Sequence, residues 1–421
     1  MARSLTETPA AAPSHPPLAG ARRALDIEYA IRDVVAPARA LEAQGHKVLK
    51  LNIGDPCAYG FQPPAHLVEA LHKAALQGHN GYTPSEGDPE LIAAIVRREK
   101  RRNNVSVDAK DVLVTTGVSE SLQMLLGATI EPGDEVLVPG PAYPPYVSIV
   151  RFFGGKPIAY RSIEEEGWQP DLDDMRRKIT PKTKAVCMIN PNNPTGAVVP
   201  ERSVKKVAEL CGEHSRQLFL VSDEIYDEMT FDTKQVASRR IAADVPMVTL
   251  NGFSKVYLVP GWRLGHMMFN DTQGTLRDIK EGVLRQTRVR LCANSVTQRA
   301  AVAALDGPQD HIARTNAALK ARRDVAVKRL NAIEGVSCAR PDGAFYAFPK
   351  LDILSTSKGK AKWATDKAFV LDFLQAEKVL TVHGSGFDPT YGSGHMRIVI
   401  LPDTPILEMA FDRLERFVGA A

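Results

Sequence analysis

The sequence predicts an α/β fold, with a large domain on a mostly parallel sheet followed by a smaller α+β domain. Three observations predict it. Between Ala65 and Leu305, short apolar runs alternate with segments of helical period, as expected of a sheet covered by helices on both faces. Runs at 184–189, 218–221 and 247–250 each lead into polar side chains, which gathers those groups at one sheet edge, where open α/β sheets bind ligands. Later the order changes to strands at 344–348, 379–382 and 396–400 and helices at 369–377 and 406–417, the last with Leu407, Ala410, Phe411 and Leu414 on one stripe.

Residues 1–24, rich in Ala, Pro and Ser, bury too little apolar surface to order themselves and lack the apolar stretch of a secretory signal, so they read as a flexible tail. Residues 66–309 form the predicted large domain and 310–421 the small one. A helical pattern carrying Leu91, Ile92, Ile95 and Val96 ends in the basic run Arg97-Arg98-Glu99-Lys100-Arg101-Arg102, read as a solvated helix end rather than a nucleic-acid patch. Next come a strand at 112–116, the tight turn Gly117-Val118-Ser119 and a helix marked by Leu122, Leu125, Leu126 and Ile130. Such a turn offers free backbone N–H groups and a positive helix end to a phosphate, although with one glycine it also fits an ordinary strand-to-helix turn.

The strand at 184–189 runs into Asn190-Pro191-Asn192-Asn193-Pro194-Thr195-Gly196, and the strand at 218–221 delivers Asp223 and then Tyr226. The strand at 247–250 precedes Asn251-Gly252-Phe253-Ser254-Lys255, and Arg263 follows in Gly261-Trp262-Arg263-Leu264-Gly265. A lysine at a strand end leaves bulk water, and together Lys255 and Arg263 suit a covalent cofactor anchor and its phosphate clamp. Gly384-Ser385-Gly386 and Gly392-Ser393-Gly394 suggest a mobile loop.

Composition narrows the function. With 421 residues, 44% of them hydrophobic, the chain can bury a large core, and no apolar stretch approaches the roughly 20 residues that span a bilayer, so a soluble protein is expected. The net charge of +4, from 53 basic and 49 acidic residues, gives no case for nucleic acid. Five cysteines, Cys57, Cys187, Cys211, Cys292 and Cys338, lack a CxxC pair; they read as buried thiols in a reducing, cytoplasmic setting and offer no metal motif.

The spaced motifs resemble the class I/II aminotransferases, the fold-type I family that uses pyridoxal 5′-phosphate (PLP). The matching residues stand in family order from about Tyr29 to the C-terminus: Gly54 in Leu51-Asn52-Ile53-Gly54-Asp55-Pro56, Tyr82 in Tyr82-Thr83-Pro84, Asn193, Asp223, Tyr226, Lys255, Arg263 and Arg397. The resemblance implies a seven-stranded, mostly parallel sheet in the large domain, a segment 25–65 that joins the small domain, and a homodimer with shared active sites.

It also implies roles. PLP supplies an aldehyde that a lysine amine can hold and a ring that takes up the electron pair left when the substrate Cα loses a proton. Lys255 is the implied anchor and proton carrier, and burial is needed to free its amine near neutral pH. Asp223 would face the ring nitrogen, Asn193 and Tyr226 the ring oxygen, and Tyr143 the ring face. The phosphate would take Val118, Ser119, Ser254, Arg263 and, from the neighbouring subunit, Tyr82. Gly252 stands where many members have serine, so one phosphate hydrogen bond is missing from the pattern. Arg397 would grip the substrate α-carboxylate with a planar fork, Gly54 would let the backbone approach it, and an internal salt bridge is the structural alternative for Arg397.

Substrate choice turns on the side-chain pocket. Aspartate-selective relatives often carry an arginine where Val289 falls here, and the run Leu291-Cys292-Ala293-Asn294 with Leu49-Lys50-Leu51-Asn52-Ile53-Gly54 resembles the alanine aminotransferase-like branch. Tyr29-Ala30-Ile31-Arg32 matches a segment of that branch able to close over substrate, with Asp33 where glycine is expected. The expectation is therefore a PLP-dependent transaminase moving an amino group between alanine and 2-oxoglutarate by a ping-pong cycle. Its alternatives are an aspartate or broad-range aminotransferase, a carbon–sulfur lyase on the same scaffold, or a ligand-sensing regulator, for which the short tail leaves no room for a helix-turn-helix module.

Overall fold

The computed structural model describes residues 18–27, 29–214 and 217–420. Most of the segment read as a flexible tail lies outside the described residues. In chain order the strands are β1 (Leu49–Lys50), β2 (Val112–Thr115), β3 (Glu135–Gly140), β4 (Lys156–Ile163), β5 (Gln169–Pro170), β6 (Thr183–Ile189) and β7 (Phe219–Asp223). Then follow β8 (Met247–Gly252), β9 (Gly265–Asn270), β10 (Tyr346–Ala347), β11 (Val379–Leu380), β12 (Val382–His383) and β13 (Met396–Val399).

The large sheet has the order β2-β9-β8-β7-β6-β3-β4-β5. β8, β7, β6, β3 and β4 are parallel neighbours, whereas β9 runs antiparallel to both β2 and β8. The sheet thus has eight strands rather than the expected seven, because two residues, Gln169 and Pro170, pair antiparallel with Ile163 and Ser162 on the β4 edge. So short a strand ending in proline carries no periodicity to read. Strand order reverses between β6 and β3, and the crevice beyond the carboxyl ends of strands at such a switch is where ligands bind.

Alternation within the strands builds two cores. In β6, Ala185, Cys187 and Ile189 face a cluster that includes Leu122 and Leu125 of the helix Val118–Gly127. Val186 and Met188 face the other side, where Val204 and Val207 of the helix Glu201–Glu213 cover them. Each fully buried aliphatic side chain contributes about 1.5–3 kcal/mol, which fixes the register and hence the height at which the strand ends deliver their polar residues.

The predicted strand at 379–382 divides at Thr381. β11 pairs parallel with β1, Leu49 opposite Val379, while β12 joins the antiparallel sheet β10-β13-β12. The strand at 344–348 shortens to β10, opposite β13. Helices Asp366–Glu377 and Thr404–Gly419 cover these sheets, with Phe369 and Phe373 packed around Phe417.

Three expectations need correction. The basic run is not simply a solvated helix end: after the helix Pro89–Arg98 a π turn, Glu99–Asn103, turns Arg98 and Glu99 inward, and Arg98 pairs with Asp227 and Glu228 at 2.6 Å each. The glycine-rich loop is tied down, since Asp366 accepts from the Ser385 amide and hydroxyl at 2.6 and 2.8 Å and Tyr391 accepts from Lys178 at 2.9 Å. Of the cysteines, Cys187, Cys211 and Cys338 are buried, but Cys57 and Cys292 are half-buried. Among the described residues, no helix is long and apolar enough to cross a membrane.

Candidate active site

A cavity of about 290 Å³ opens at the switch point, at the lower edge of the usual range for small-molecule sites. β7 ends with Asp223, and Tyr226 follows on the next turn; both are buried and line the cavity. The Asp223 carboxylate accepts from the Tyr146 hydroxyl at 2.7 Å and from the Ile225 amide at 3.1 Å. Burial pushes its pKa up to about 6, against the pull of those two donors. An acid so placed is ready to be ionised by a cation brought against it.

Lys255 follows β8 and donates to the Gly54 carbonyl at 2.8 Å. Its pKa is pushed down to about 8, first by burial and then by the Arg397 and Arg263 guanidiniums, with Asp55 and Cys57 acting in the opposite direction. A Cβ on Gly54 would lie 2.4 Å from the Tyr346 hydroxyl and 2.7 Å from the Phe345 ring, so only glycine fits beside this amine.

Arg397, on β13, is 1% exposed. It donates to the Asn193 side-chain oxygen at 3.0 Å and to the Asn52 carbonyl, and lies 4.7 and 4.9 Å from the Tyr346 and Phe387 ring centroids. Among the described residues no carboxylate pairs with it, so the internal salt bridge is not formed. A guanidinium has five N–H groups, and each terminal nitrogen here keeps an N–H beyond the bonds named, the fork a carboxylate needs. Burial lowers its pKa.

The phosphate end is built from the start of the helix Val118–Gly127, where the Val118 and Ser119 amides precede the first intrahelical hydrogen bond and both residues lie on the cavity wall. Ser254 and Arg263 border the same end. Arg263 adopts φ 52° and donates to the Pro260 carbonyl at 3.0 Å. A Cβ on Gly117 would come within 2.8 Å of its guanidinium. Gly252 pairs across the strands with Gly265; a Cβ there would meet the Gly265 Cα and the Leu264 carbonyl at 3.0 Å. Close backbone packing accounts for glycine where the family pattern often has serine.

Tyr29 and Arg32 line the outer wall, and the Tyr29 hydroxyl lies 3.1 Å from that of Tyr143. Arg32 makes no ion pair among the described residues. Two predicted residues lie elsewhere. Tyr82 is 84% exposed in a separate surface depression. Val289, expected beside the side-chain pocket, is 87% exposed on the last turn of the helix Arg277–Arg290 and does not line the cavity of its own chain. The flanking arginines are engaged too: Arg290 pairs with Glu120 at 2.8 Å, and Arg288 with Glu281 at 3.5 Å.

Sequence reading missed Tyr146 and Tyr346. Tyr146 lies on the first turn of the helix Pro144–Phe152, where an aromatic looks like core; Tyr346 bonds the Tyr226 hydroxyl at 2.8 Å. The tyrosine three residues after Tyr143 was the available signal for the first, and none marked the second. The residues present suit PLP: a buried amine, a buried carboxylate for a ring cation, an aromatic wall at Tyr143, and a helix N-terminus with an arginine for a phosphate.

Comparison with known proteins agrees with this arrangement. The family model for aminotransferase class I and II matches residues 46–414. The alanine aminotransferase of Mycobacterium tuberculosis is 39% identical over 398 residues, covering 93% of this chain and 91% of that protein. The glutamate-pyruvate aminotransferase AlaA of Escherichia coli K12 is 37% identical over 399 residues, covering 94% and 96%. Among solved structures, alanine aminotransferase from Pyrococcus furiosus superposes with a TM-score of 0.92 at 51% identity, covering 96% of this chain and all of that one. Fold-type I aminotransferases depend on PLP and act on amino and 2-oxo acids. The chain belongs to the class I and II aminotransferase family and is an aminotransferase of fold type I.

Proposed function

We propose that the chain exchanges an amino group between alanine and 2-oxoglutarate with PLP as cofactor, by a ping-pong cycle. One observation carries the reading: a buried guanidinium without a carboxylate partner, Arg397, shares a cavity with a buried amine, Lys255. A buried cation lacking its counter-ion is costly to keep, and a substrate carboxylate supplies that counter-ion on binding. The relatives named for alanine and for glutamate and pyruvate support the substrate pair.

PLP, when bound, supplies the aldehyde and the electron-accepting ring. Lys255 holds it and then moves a proton at the substrate Cα, a task suited to an amine whose pKa is pushed down to about 8. Asp223 holds the ring nitrogen's proton, Tyr226 and Asn193 orient the ring oxygen, and Tyr143 covers the ring. Val118, Ser119, Ser254 and Arg263 bind the phosphate. Arg397 orients the α-carboxylate with Gly54 beside it, and Tyr29 closes the outer side against water. Alanine needs nothing further, whereas 2-oxoglutarate needs a cation for its distal carboxylate, and Arg32 on the outer wall supplies it.

The exposed Tyr82 supports a homodimer in which it completes the partner's phosphate site. The reading includes a cytosolic enzyme, a large domain over 66–309 and a small one over 310–421 joined by 25–65; five unpaired cysteines suit such a compartment. Stopped-flow mixing of the PLP-loaded protein with an amino-acid panel tests the function: alanine bleaches the cofactor band and releases pyruvate, and Lys255→Ala does not. Equal rates for alanine and aspartate would remove the preference for alanine. Ammonia release from a sulfur amino acid would favour the lyase.

A further inference from the structure

Beside the end of β8 and the Lys255 loop lies a second cavity of about 10 Å³, close to the room one water needs and sharing no lining residue with the large one. Asn251 and Gly252 border it from the end of β8, Phe253 and Val256 from the Lys255 loop that follows, and Asp227, next to Tyr226, faces it from the neighbouring turn. His266 faces it from β9, directly opposite Asn251 in the strand register. It is bordered by groups that hold both catalytic loops.

Its walls contain polar atoms without protein partners. Asp227 is 1% exposed; its Oδ2 takes hydrogen bonds from Arg98 at 2.6 Å and Asn251 at 3.0 Å, while its Oδ1 takes none. His266 is 2% exposed, and neither ring nitrogen has a protein partner. Burial, helped by the Arg98 charge, lowers its pKa to about 3, so the ring is neutral and offers one N–H and one acceptor. Leaving buried polar atoms unpaired costs more than immobilising one water in reach of them.

We propose that this cavity is a binding site for a single buried water that donates to Asp227 Oδ1 and bonds a ring nitrogen of His266, making Asp227, Asn251 and His266 a positioning cluster for the Lys255 loop. Asn251 links the parts: its Nδ2 donates to Asp227, and its Oδ1 accepts the Gly252 amide at 2.7 Å. Phe253 continues the tie by donating its amide to the Leu264 carbonyl at 3.1 Å, one residue beyond Arg263. The water therefore ties the turn that carries Tyr226 to β9, and Asn251 ties that same turn to the end of β8 that leads into Lys255. The positioning role rests on the part proposed for Lys255; the water itself does not.

A crystal structure of the PLP-loaded protein that resolves ordered solvent tests the site directly. One water within about 2.7–3.2 Å of both Asp227 Oδ1 and a His266 nitrogen is expected. An empty cavity, or a water reaching only one of the two groups, overturns the proposal. Hydrogen exchange tests the positioning role: His266→Phe removes the polar partner and should speed exchange at the Gly252 and Phe253 amides by about five- to tenfold, with β7 unchanged. His266→Gln, which keeps a polar end, should restore most of the protection. Unchanged exchange in His266→Phe, or an equal rise across β7, would refute the positioning role, and if that variant does not fold, the solvent structure of the unaltered protein decides.

Discussion

Tyr146→Phe separates a tuning role from a packing role with one oxygen atom. The Tyr146 ring is fully buried and phenylalanine keeps its shape, so the change removes chiefly the 2.7 Å hydrogen bond to Asp223. A hydrogen bond to a charged group is worth about 1.5–3 kcal/mol, and one pKa unit is 1.36 kcal/mol, so losing the bond raises the Asp223 pKa by about 1–2 units. From about 6 in the cofactor-free protein, this brings the carboxyl of the apoprotein near or above neutrality, and in the loaded enzyme the same interval adds to a lower starting value. The acid limb of the kcat/KM profile for alanine should then move up by a similar interval, cofactor affinity should fall about tenfold or more, and activity should recover at higher pH. The pH profile and a cofactor titration of the apoprotein check this. A folded Tyr146→Phe protein with an unmoved acid limb would show that Asp223 does not depend on the phenol.

Four other outcomes follow from the same geometry. Arg397→Lys replaces a fork with a point charge and should lower kcat/KM for alanine by about 30- to 150-fold, read from steady-state kinetics, from a loss of about 2–3 kcal/mol. Arg32→Ala should weaken 2-oxoglutarate by about two- to fivefold while leaving the alanine half-reaction nearly unchanged, which single-turnover measurements with each substrate distinguish. Gly252→Ser adds a hydroxyl near the phosphate end but forces β8 from β9, and overpacking of about 1–3 kcal/mol should lower the melting temperature rather than tighten cofactor binding. In the apoprotein, the raised Asp223 pKa contributes stability that is full below about pH 4 and lost as pH rises through about 6; the lowered Lys255 pKa contributes stability that is full above about pH 10.5 and lost as pH falls through about 8. Thermal melts should therefore show a dip between about pH 6 and 8 that shrinks in Asp223→Asn combined with Lys255→Ala.

The parts of the site legible in the sequence are those whose position follows from where a strand ends. Asp223, Asn193 and Lys255 each stand just past an apolar run, so burial of the run fixes their height on the sheet before any contact is known. The partners of those residues were not legible, because they arrive from distant elements: Tyr146 looks like a core aromatic on a helix, and Tyr346 stands on a strand of two residues. Arg98 was misread for the same reason. A run of like charges reads as solvated unless its counter-ions are known, and those counter-ions, Asp227 and Glu228, lie about 130 residues further on. β5 and the break at Thr381 escaped because each depends on which neighbour a strand pairs with, a choice made by tertiary packing and not by local pattern.

Two buried guanidiniums show why contact, more than residue type, separates a structural charge from one that awaits a ligand. Arg98 and Arg397 are both nearly inaccessible and each lies within or beside an apolar segment. Arg98 is surrounded by Glu99, Asp227 and Glu228, so its charge is met inside the fold and the cluster stabilises the turn after Tyr226. Arg397 meets only neutral oxygens and aromatic faces. Carbonyls and rings offset part of the desolvation but not the charge, so electrostatic strain persists at Arg397 until an anion enters. That difference requires opposite responses to a neutral replacement. Arg98→Met should destabilise the fold by about 3–5 kcal/mol by stranding buried carboxylates. Arg397→Met should leave the apoprotein as stable as before, or more so, while abolishing carboxylate recognition, and thermal melts of both apoproteins beside alanine titrations of both holoenzymes would reveal it. Equal destabilisation by the two changes would mean that Arg397 already has its charge compensated within the chain, and the case for a substrate carboxylate at that position would fall.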